Sequence, residues 1–170
     1  ENSDAEFKSR DFEYSDGYIY DENNRRKKYK INRSAEVIYN GRVYYDYNLD
    51  DLNNICGSVK VVDNNDDRNF DYIIIEDYYY MEVASFDRTD KIIRDTRDAN
   101  KELRFEDDVV YSVYSDEEQT KCDLGEVSQG SILAVKRSAD SKLVDMIIMG
   151  RLVSGKIDSL TDDKMRIDGK

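Results

Sequence analysis

The chain has 170 residues, which is enough for one domain or two small ones with a packed core. It carries 38 Asp and Glu against 26 Lys and Arg, a formal net charge of −12. Such a charge repels phosphate backbones and anionic membrane surfaces, so we expect no nucleic-acid partner. No apolar run approaches the roughly 20 residues needed to cross a bilayer, so we expect no membrane insertion. The sequence has no histidine, which excludes Ser-His and Cys-His catalysis and removes the commonest transition-metal ligand. Divalent cations and basic partners fit this composition better.

Residues 1–14 are polar and have no sustained periodicity, and we interpret them as a tail or linker. The chain begins at Glu1 rather than Met, which is typical of a piece cut from a longer protein. Cys56 and Cys122 are too few for a disulfide framework and match no zinc spacing. Two unpaired thiols are the favoured reading, and a single bridge between two loops is left open.

Two hairpins are predicted after Gly17. Residues 18–31 contain two alternating β segments around an Asp/Asn-rich turn, the pattern of a hairpin. In residues 35–47 the dipeptide Asn40-Gly41 separates two further segments, and Asn-Gly suits the positive φ angles of a type I′ turn. Residues 48–55 have helical character over one or two turns, so we expect a connector there.

Short strand signals then recur to the end of the chain, in MEVASFD, DKIIRD, KELRFE, DVVYSVY, ILAVKRS, KLVDMIIMG, LVSGKIDSL and KMRIDG. This regular spacing favours meanders and small barrels over βαβ units. We therefore predict an all-β fold of consecutive antiparallel hairpins that form a small sandwich or barrel. We expect a main module over residues 15–122 and a second small β-barrel-like module over residues 123–170, completed by further sequence or by a neighbouring chain.

The turn between residues 62 and 72 is rich in oxygen ligands. Its first, third, fifth and ninth positions carry side-chain oxygens and its seventh offers a backbone carbonyl; these residues are Asp63, Asn65, Asp67, Asp71 and Asn69. Calcium takes six to eight such hard oxygens. At the sixth position, where D-x-D-x-D-G-x-x-D loops have glycine, this chain has Arg68, which is strained in a left-handed conformation and adds a positive charge. The two readings are a solvated Asp/Asn turn and a calcium loop.

Two further features have a functional and a structural reading. Tyr78-Tyr79-Tyr80 alternates faces on a strand, so at least one ring is expected to be exposed and available to a sugar or protein, although packing across strands explains most tyrosines. Four acid pairs suggest glycosidase carboxylates, but neighbours on a strand point to opposite faces and cannot converge. We read the pairs as turn and edge charges; they are Asp50-Asp51, Asp107-Asp108, Glu117-Glu118 and Asp162-Asp163.

From Gly17 onward the chain resembles repeat modules of large secreted Firmicutes surface proteins. The motifs that carry the resemblance are KYKINRSAEVIYNG, GSVKVVDNNDDRNFDYIIIEDY and the ending GSILAVKRSADSKLVDMIIMGRLVSGKIDSLTDDKMRIDG. These proteins are S-layer-associated and copper-amine-oxidase-domain-like stalk proteins, and similar modules occur in phage tail-associated proteins. Their turns are richer in glycine than this one, which has Arg68.

The resemblance implies a non-catalytic repeat-type β module at a bacterial cell surface or on a phage virion. We therefore expect a structural or assembly module of a surface layer, stalk, fibre or virion, with neighbouring copies, other surface proteins or glycans as partners. The alternative is an adhesion module that binds calcium or a glycan. An enzyme would have to work with carboxylates, Lys or Tyr alone.

Overall fold

The computed structural model describes residues 4–24, 27–98, 100–115 and 120–150, and the backbone of residues 151, 157–160 and 165–167. These residues form an almost entirely β structure, so the predicted all-β fold is confirmed. Two short 3-10 helices, Leu49–Asn54 and Leu124–Glu126, interrupt the strands. The strands are β1 (Ala5–Lys8), β2 (Phe12–Ser15), β3 (Tyr18–Asp21), β4 (Lys28–Tyr39), β5 (Arg42–Val43), β6 (Gly57–Val62), β7 (Asn69–Asp77), β8 (Tyr79–Asp87), β9 (Ile92–Asp95), β10 (Glu102–Arg104), β11 (Val110–Ser115), β12 (Thr120–Lys121), β13 (Ser131–Arg137), β14 (Leu143–Arg151), β15 (Ile157–Leu160) and β16 (Met165–Ile167).

The first sheet is a half-barrel with the strand order β1-β6-β7-β4-β3-β2, and β5 pairs with the end of β4. Its two end strands, β1 and β2, follow each other in the chain, and the rings of Phe7 and Phe12 lie 5.8 Å apart. β4 pairs with β7 in parallel. Alternate residues of β6 and β7 point inward, and these are fully buried: Val59, Val61, Ile73 and Ile75.

The second sheet has the order β10-β9-β8-β13-β14-β11-β12. It also contains one parallel pair, β11 with β14. Its core is separate from that of the first sheet. The fully buried side chains at its centre include Val83, Ile93, Leu133 and Met146. β15 and β16 form an antiparallel pair of their own.

The two sheets are copies of one arrangement. In the first, Ala5 pairs with Val61 and Phe7 with Val59; in the second, the residues 74 positions later pair in the same register, Tyr79 with Val135 and Met81 with Leu133. The antiparallel β6–β7 ladder recurs as β13–β14, and the parallel β4–β7 ladder recurs as β11–β14. The chain therefore contains two units, which we name the first unit (residues 5–77) and the second unit (residues 79–151).

The hairpin between β3 and β4 repeats with the same offset in β9 and β10. Ile19 faces Tyr29 in the first unit and Ile93 faces Leu103 in the second. Each turn begins with an aspartate whose carboxylate accepts two backbone N–H groups. The donors to Asp21 are residues 23 and 24, and the donors to Asp95 are residues 97 and 98. The duplication thus extends to the hydrogen bonds of the turn.

One difference between the units lies in a single long strand. β4 pairs at its beginning with β3 and at its end with β5, and it pairs with β7 in two stretches, residues 30–31 and 36–39. In the second unit the same path is divided into β10 and β11, with the segment 105–109 between them. Conversely, β8 is one strand that follows the paths of both β1 and β2, pairing with β13 and then with β9. Equivalent strands therefore have the same neighbours, except where each sheet has its edges. The first sheet has its edges at β1 and β2, whereas the second has them at β10 and β12.

The local predictions for the first unit are confirmed. β3 and β4 form the hairpin predicted over residues 18–31. Tyr39 pairs with Arg42, and the two turn residues between them, Asn40 and Gly41, have φ angles of +46° and +83°, as a type I′ turn requires. The connector predicted over residues 48–55 is the first 3-10 helix, with Asn48 as its N-cap.

The structure differs from the sequence predictions in the division of the chain. Residues 1–14, expected to be a tail, include β1 and β2, and β1 pairs along β6; short strands with one buried side chain each leave little periodicity to detect. The first sheet ends at Asp77 and the second begins at Tyr79, whereas we expected a boundary after residue 122. No disulfide joins Cys56 and Cys122, which lie in different units. Most of the segment 151–170 lies outside the described residues.

The junction between the units consists of Tyr78 and a few side chains around it. The side-chain amide of Asn40 donates to the backbone oxygens of Asp77 (3.0 Å) and Arg137 (2.9 Å), and its oxygen accepts from the Asp77 N–H (2.8 Å). Lys136 of the second unit forms an ion pair with Glu76 of the first at 3.1 Å. Asn40 is 5% exposed, so one buried side chain ties the last residue of the first unit to the second.

We predict that Asn40→Gly lowers the free energy of unfolding by about 2–3 kcal/mol, because glycine keeps the positive φ but leaves buried backbone groups without partners. Urea denaturation measures this change. Asp16→Gly is the matched control, since Asp16 is an exposed residue with φ +52° in the β2–β3 turn; its expected effect is below about 0.5 kcal/mol. Equal effects in both variants would contradict the role given to the Asn40 amide.

Candidate functional site

The predicted calcium loop joins β6 to β7 at the end of the first sheet. Asp66 and Arg68 have φ angles of +59° and +66°. Arg68 therefore adopts the left-handed conformation that glycine takes at this position of the pattern, at the steric cost that a Cβ brings. The loop backbone is left-handed at the sixth position, as in the glycine-containing pattern, although Arg68 stands there.

The side chains at the odd positions of the loop point toward its own backbone. Asp63 accepts the N–H groups of Asn65 (3.2 Å) and Arg68 (2.8 Å) through its two oxygens. In the same way Asn65 accepts from Asp67, and Asp67 accepts from Asn69, at 3.0 and 2.7 Å. The loop is a series of Asx turns that satisfies its backbone without any added ligand.

Asp71, at the ninth position, belongs to the same network. One of its oxygens accepts from the Asn64 N–H at 3.2 Å, and the other accepts from the side-chain amide of Asn32, on β4, at 3.0 Å. Asp71 thereby fastens the loop to the parallel neighbour of β7. The five predicted ligands thus lie in the loop and the start of β7, held by hydrogen bonds within this segment and, for Asp71, by one from Asn32 on β4.

Asp63 has the most perturbed environment in this loop. Burial opposes its ionisation, but the N–H groups of Arg68 and Asn65 donate to the carboxylate and hold its pKa below the usual range. Across the described residues, no three His, Cys, Asp or Glu side chains are gathered as metal ligands. Calcium binding at this loop remains a prediction.

The three consecutive tyrosines bridge the junction and the start of β8. Tyr80 is 56% exposed, so the expectation of at least one exposed ring is confirmed. Tyr79 packs against the second core and carries Lys101 over its ring, 4.4 Å from the centroid. Tyr78 lies beneath Lys136 at the junction. Of the three rings, only that of Tyr80 is exposed enough for a partner to contact it.

A second tyrosine cluster, not identified from the sequence, lines a surface pocket of about 370 Å³. Tyr39, Tyr44 and Tyr47 contact one another with ring centroids 5.7–6.1 Å apart. The carboxylate of Asp77 forms part of the wall, where it accepts from the Tyr39 hydroxyl (2.8 Å) and from the Cys56 N–H (2.7 Å). The Asn40-Gly41 turn brings these rings together, because it folds the tyrosine-rich segment after β5 back over the end of β4.

This tyrosine pocket is partly buried and acidic. Burial raises the pKa of Tyr39 and of Tyr47 well above the usual value, and the negative charge of Asp77 raises both further. Asp46 and Asp51 also line the pocket. The tyrosine rings can stack on a polar ligand, and their neutral hydroxyls and the neighbouring carboxylates can hydrogen-bond to it.

The acid pairs do not converge where the structure describes them. Asp50 and Asp51 occupy the first turn of a 3-10 helix, where negative charge is favourable. Asp108 forms an ion pair with Lys142, which lowers the pKa of Asp108. The pairs at 117–118 and 162–163 lie outside the described residues.

Comparisons with models of protein families, with curated proteins and with solved structures find no match. No helix among the described residues is long and apolar enough to span a membrane.

We predict that Asp63→Asn lowers stability at neutral pH, because one of the two acceptor oxygens is replaced by an amide. Since the folded-state pKa is depressed, the stabilisation by Asp63 is complete above the unfolded-state value of 3.8 and is lost as the pH falls through the folded-state pKa. Urea denaturation of both proteins should therefore give a difference at pH 7 that shrinks toward about pH 3. A difference independent of pH would show that the charge of Asp63 does not matter.

Proposed function

We propose that this chain is a non-catalytic structural module, two units of a repeat array that spaces or joins parts of a surface layer, stalk, fibre or virion. The observation that carries the proposal is the internal duplication, in which the β1–β6 ladder recurs 74 residues later as β8–β13 and the β3–β4 hairpin recurs as β9–β10. Extended repeat arrays are built from tandem copies of one small unit.

The way the units meet supports this proposal. Each has its own core, and only Tyr78 separates the last strand of the first unit from the first strand of the second. Polar contacts cross between the units, the Asn40 amide and the Lys136–Glu76 ion pair among them. In repeat arrays each unit likewise contacts its sequence neighbours, so copies can be added without changing those already present.

The short strands at the edges favour end-to-end over lateral assembly. β10 and β12, at the edges of the second sheet, have three and two residues, which leaves few backbone groups for strand addition by another chain. The first sheet curls so that β1 and β2 come together. Neighbouring copies of the module, joined in sequence, are therefore the partners we propose, with glycans or other surface proteins as further ones.

The proposed location is extracellular, at a bacterial cell surface or on a virion. The acidic composition and the resemblance to Firmicutes stalk and surface-layer modules support it. Immunogold labelling with antibodies raised against the chain should mark intact cells or virions of the source before permeabilisation. Labelling that appears only after permeabilisation would contradict the proposed location.

The second candidate is an adhesion module that uses calcium or a glycan. It is favoured by the left-handed conformation of Arg68, which places the loop backbone as glycine-containing calcium loops require. The tyrosine pocket offers a place for a sugar. In this candidate the calcium ligands are those predicted from the sequence: Asp63, Asn65, Asp67, Asn69 and Asp71.

Calorimetric titration of the whole chain with calcium, before and after EDTA, tests this candidate. If the loop binds calcium, Asp67→Asn should abolish the heat of binding because it removes charge from an odd position. Asp66→Asn, at an exposed even position of the same loop, should retain it. Absence of calcium-dependent heat in the unmodified chain would eliminate the calcium form of this candidate.

A further inference from the structure

The path of the chain through the first unit has a mechanical consequence. β1 and β7 both pair antiparallel with β6, one on each side, so β1 and β7 run in the same direction. Ala5 and Ile73 lie opposite Val61, whereas Lys8 and Glu76 lie opposite Ser58. The chain therefore enters the unit at one end of β6 and leaves it at the other.

The second unit has the same path. β8 and β14 flank β13 in antiparallel pairs. Tyr79 and Met146 lie opposite Val135, and Glu82 and Gly150 lie opposite Ile132. Entry and exit are again at opposite ends of the middle strand.

Tension applied along the chain loads these ladders in shear. It pulls the first and last strands of a unit in opposite directions along their own axes. In an antiparallel pair the backbone hydrogen bonds are perpendicular to the strands, so sliding must strain all the bonds of a ladder together. Pulling a hairpin open from its end instead breaks the bonds one after another and needs less force.

Two features protect the loaded ladders. The side chains of β6 that face the core, Val59 and Val61, are fully buried, as are Ile73 and Ile75 of β7. These residues keep water from competing for the backbone groups between them. β7 is held on its other side by the parallel ladder to β4, and β14 by the ladder to β11.

Force passes directly from one unit to the next. Only Tyr78 lies between β7 and β8, and its N–H donates to the Cys56 oxygen at 3.0 Å. The Asn40 amide holds Asp77 at the end of β7. A load on the second unit therefore reaches the end of β7 without a slack linker.

We propose that each unit is a tension-bearing element whose shear-loaded three-strand clamp, β1–β6–β7 in the first unit and β8–β13–β14 in the second, lets an array of such units resist extension. This inference rests on the proposed structural function and adds the direction of load that the module withstands. The partner that applies the load is a neighbouring module or an anchored segment joined to either end of the same chain.

Single-molecule pulling of the whole chain through its two ends tests the inference. Each unit spans 73 residues, from Ala5 to Asp77 and from Tyr79 to Arg151, so unfolding should give two steps, each of about 250 Å less the short folded length. The same chain is then pulled from Cys56 and a cysteine introduced by Tyr78→Cys, with Cys122→Ser as background. Because Gly57 pairs with Asp77, this direction opens β6–β7 from its end.

The expected result is an end-to-end unfolding force several-fold higher than the force in the opening direction at the same loading rate. Two equal end-to-end steps that need no more force than the opening direction would overturn the tension-bearing proposal and leave the tandem module intact. A single step, or steps of unequal length, would instead count against the duplication and hence against the proposed function and the inference together.

Matched core variants separate mechanical from thermodynamic effects. Val59→Ala lies in the clamp of the first unit and Ile19→Ala lies in β3, outside it, and both side chains are fully buried. Val59→Ala should lower the force of one step only, whereas Ile19→Ala should leave both forces nearly unchanged at a loss of stability in urea that is at least as large. Equal loss of force in the two variants would overturn the assignment of the load to the clamp.

Discussion

The structure depends on one strand in each unit that is paired on both sides. β6 and β13 each join the first and last strands of a unit, which are far apart in sequence. Closing that long loop costs entropy, and the burial of apolar side chains on the middle strand offsets this cost. The first unit has Val59 and Val61 at this place and the second has Leu133 and Val135, all fully buried. Without this pairing neither sheet would bring the first and last strands of its unit together.

Duplication explains features that have no local cause. In both units the chain passes through a hairpin and a 3-10 helix, forms the middle strand and then turns back as the last strand. The last strand therefore runs parallel to the first strand of that hairpin, and the two pair. The two helices have a buried leucine each, Leu52 and Leu124, and a polar N-cap that accepts from the second residue after it. A unit that buries its own core and leaves polar groups at its ends can be copied in series.

The sequence predicted the local structure well. Asn-Gly, with its tolerance of positive φ, identified the β4–β5 turn, and the alternation in residues 18–31 identified the β3–β4 hairpin. The pairing of β1 with β6 was beyond sequence reasoning, because a strand with only Phe7 fully turned inward carries too short a pattern. The duplication was also missed, since the equivalent residues share pairing register but seldom identity, as Tyr29 and Leu103 illustrate.

The candidate site shows the same limit. The odd-position pattern of the loop predicted which side chains turn inward, but the N–H groups that their oxygens accept depend on a backbone that bends left-handed at Arg68. The tyrosine pocket could not be predicted, because Asp77 reaches Tyr39 only through the parallel pairing of β7 with β4. A cluster of tyrosines just after an Asn-Gly turn was the signal available.

Hydrogen exchange of the native chain tests the central claim, that two equivalent units are each built on a doubly paired middle strand, most directly. The account predicts that the slowest-exchanging amides fall in two sets, one in β6 and β7 and one in β13 and β14, with similar protection. Protection confined to one unit, or slowest exchange in the edge strands β2, β10 and β12, would contradict this claim.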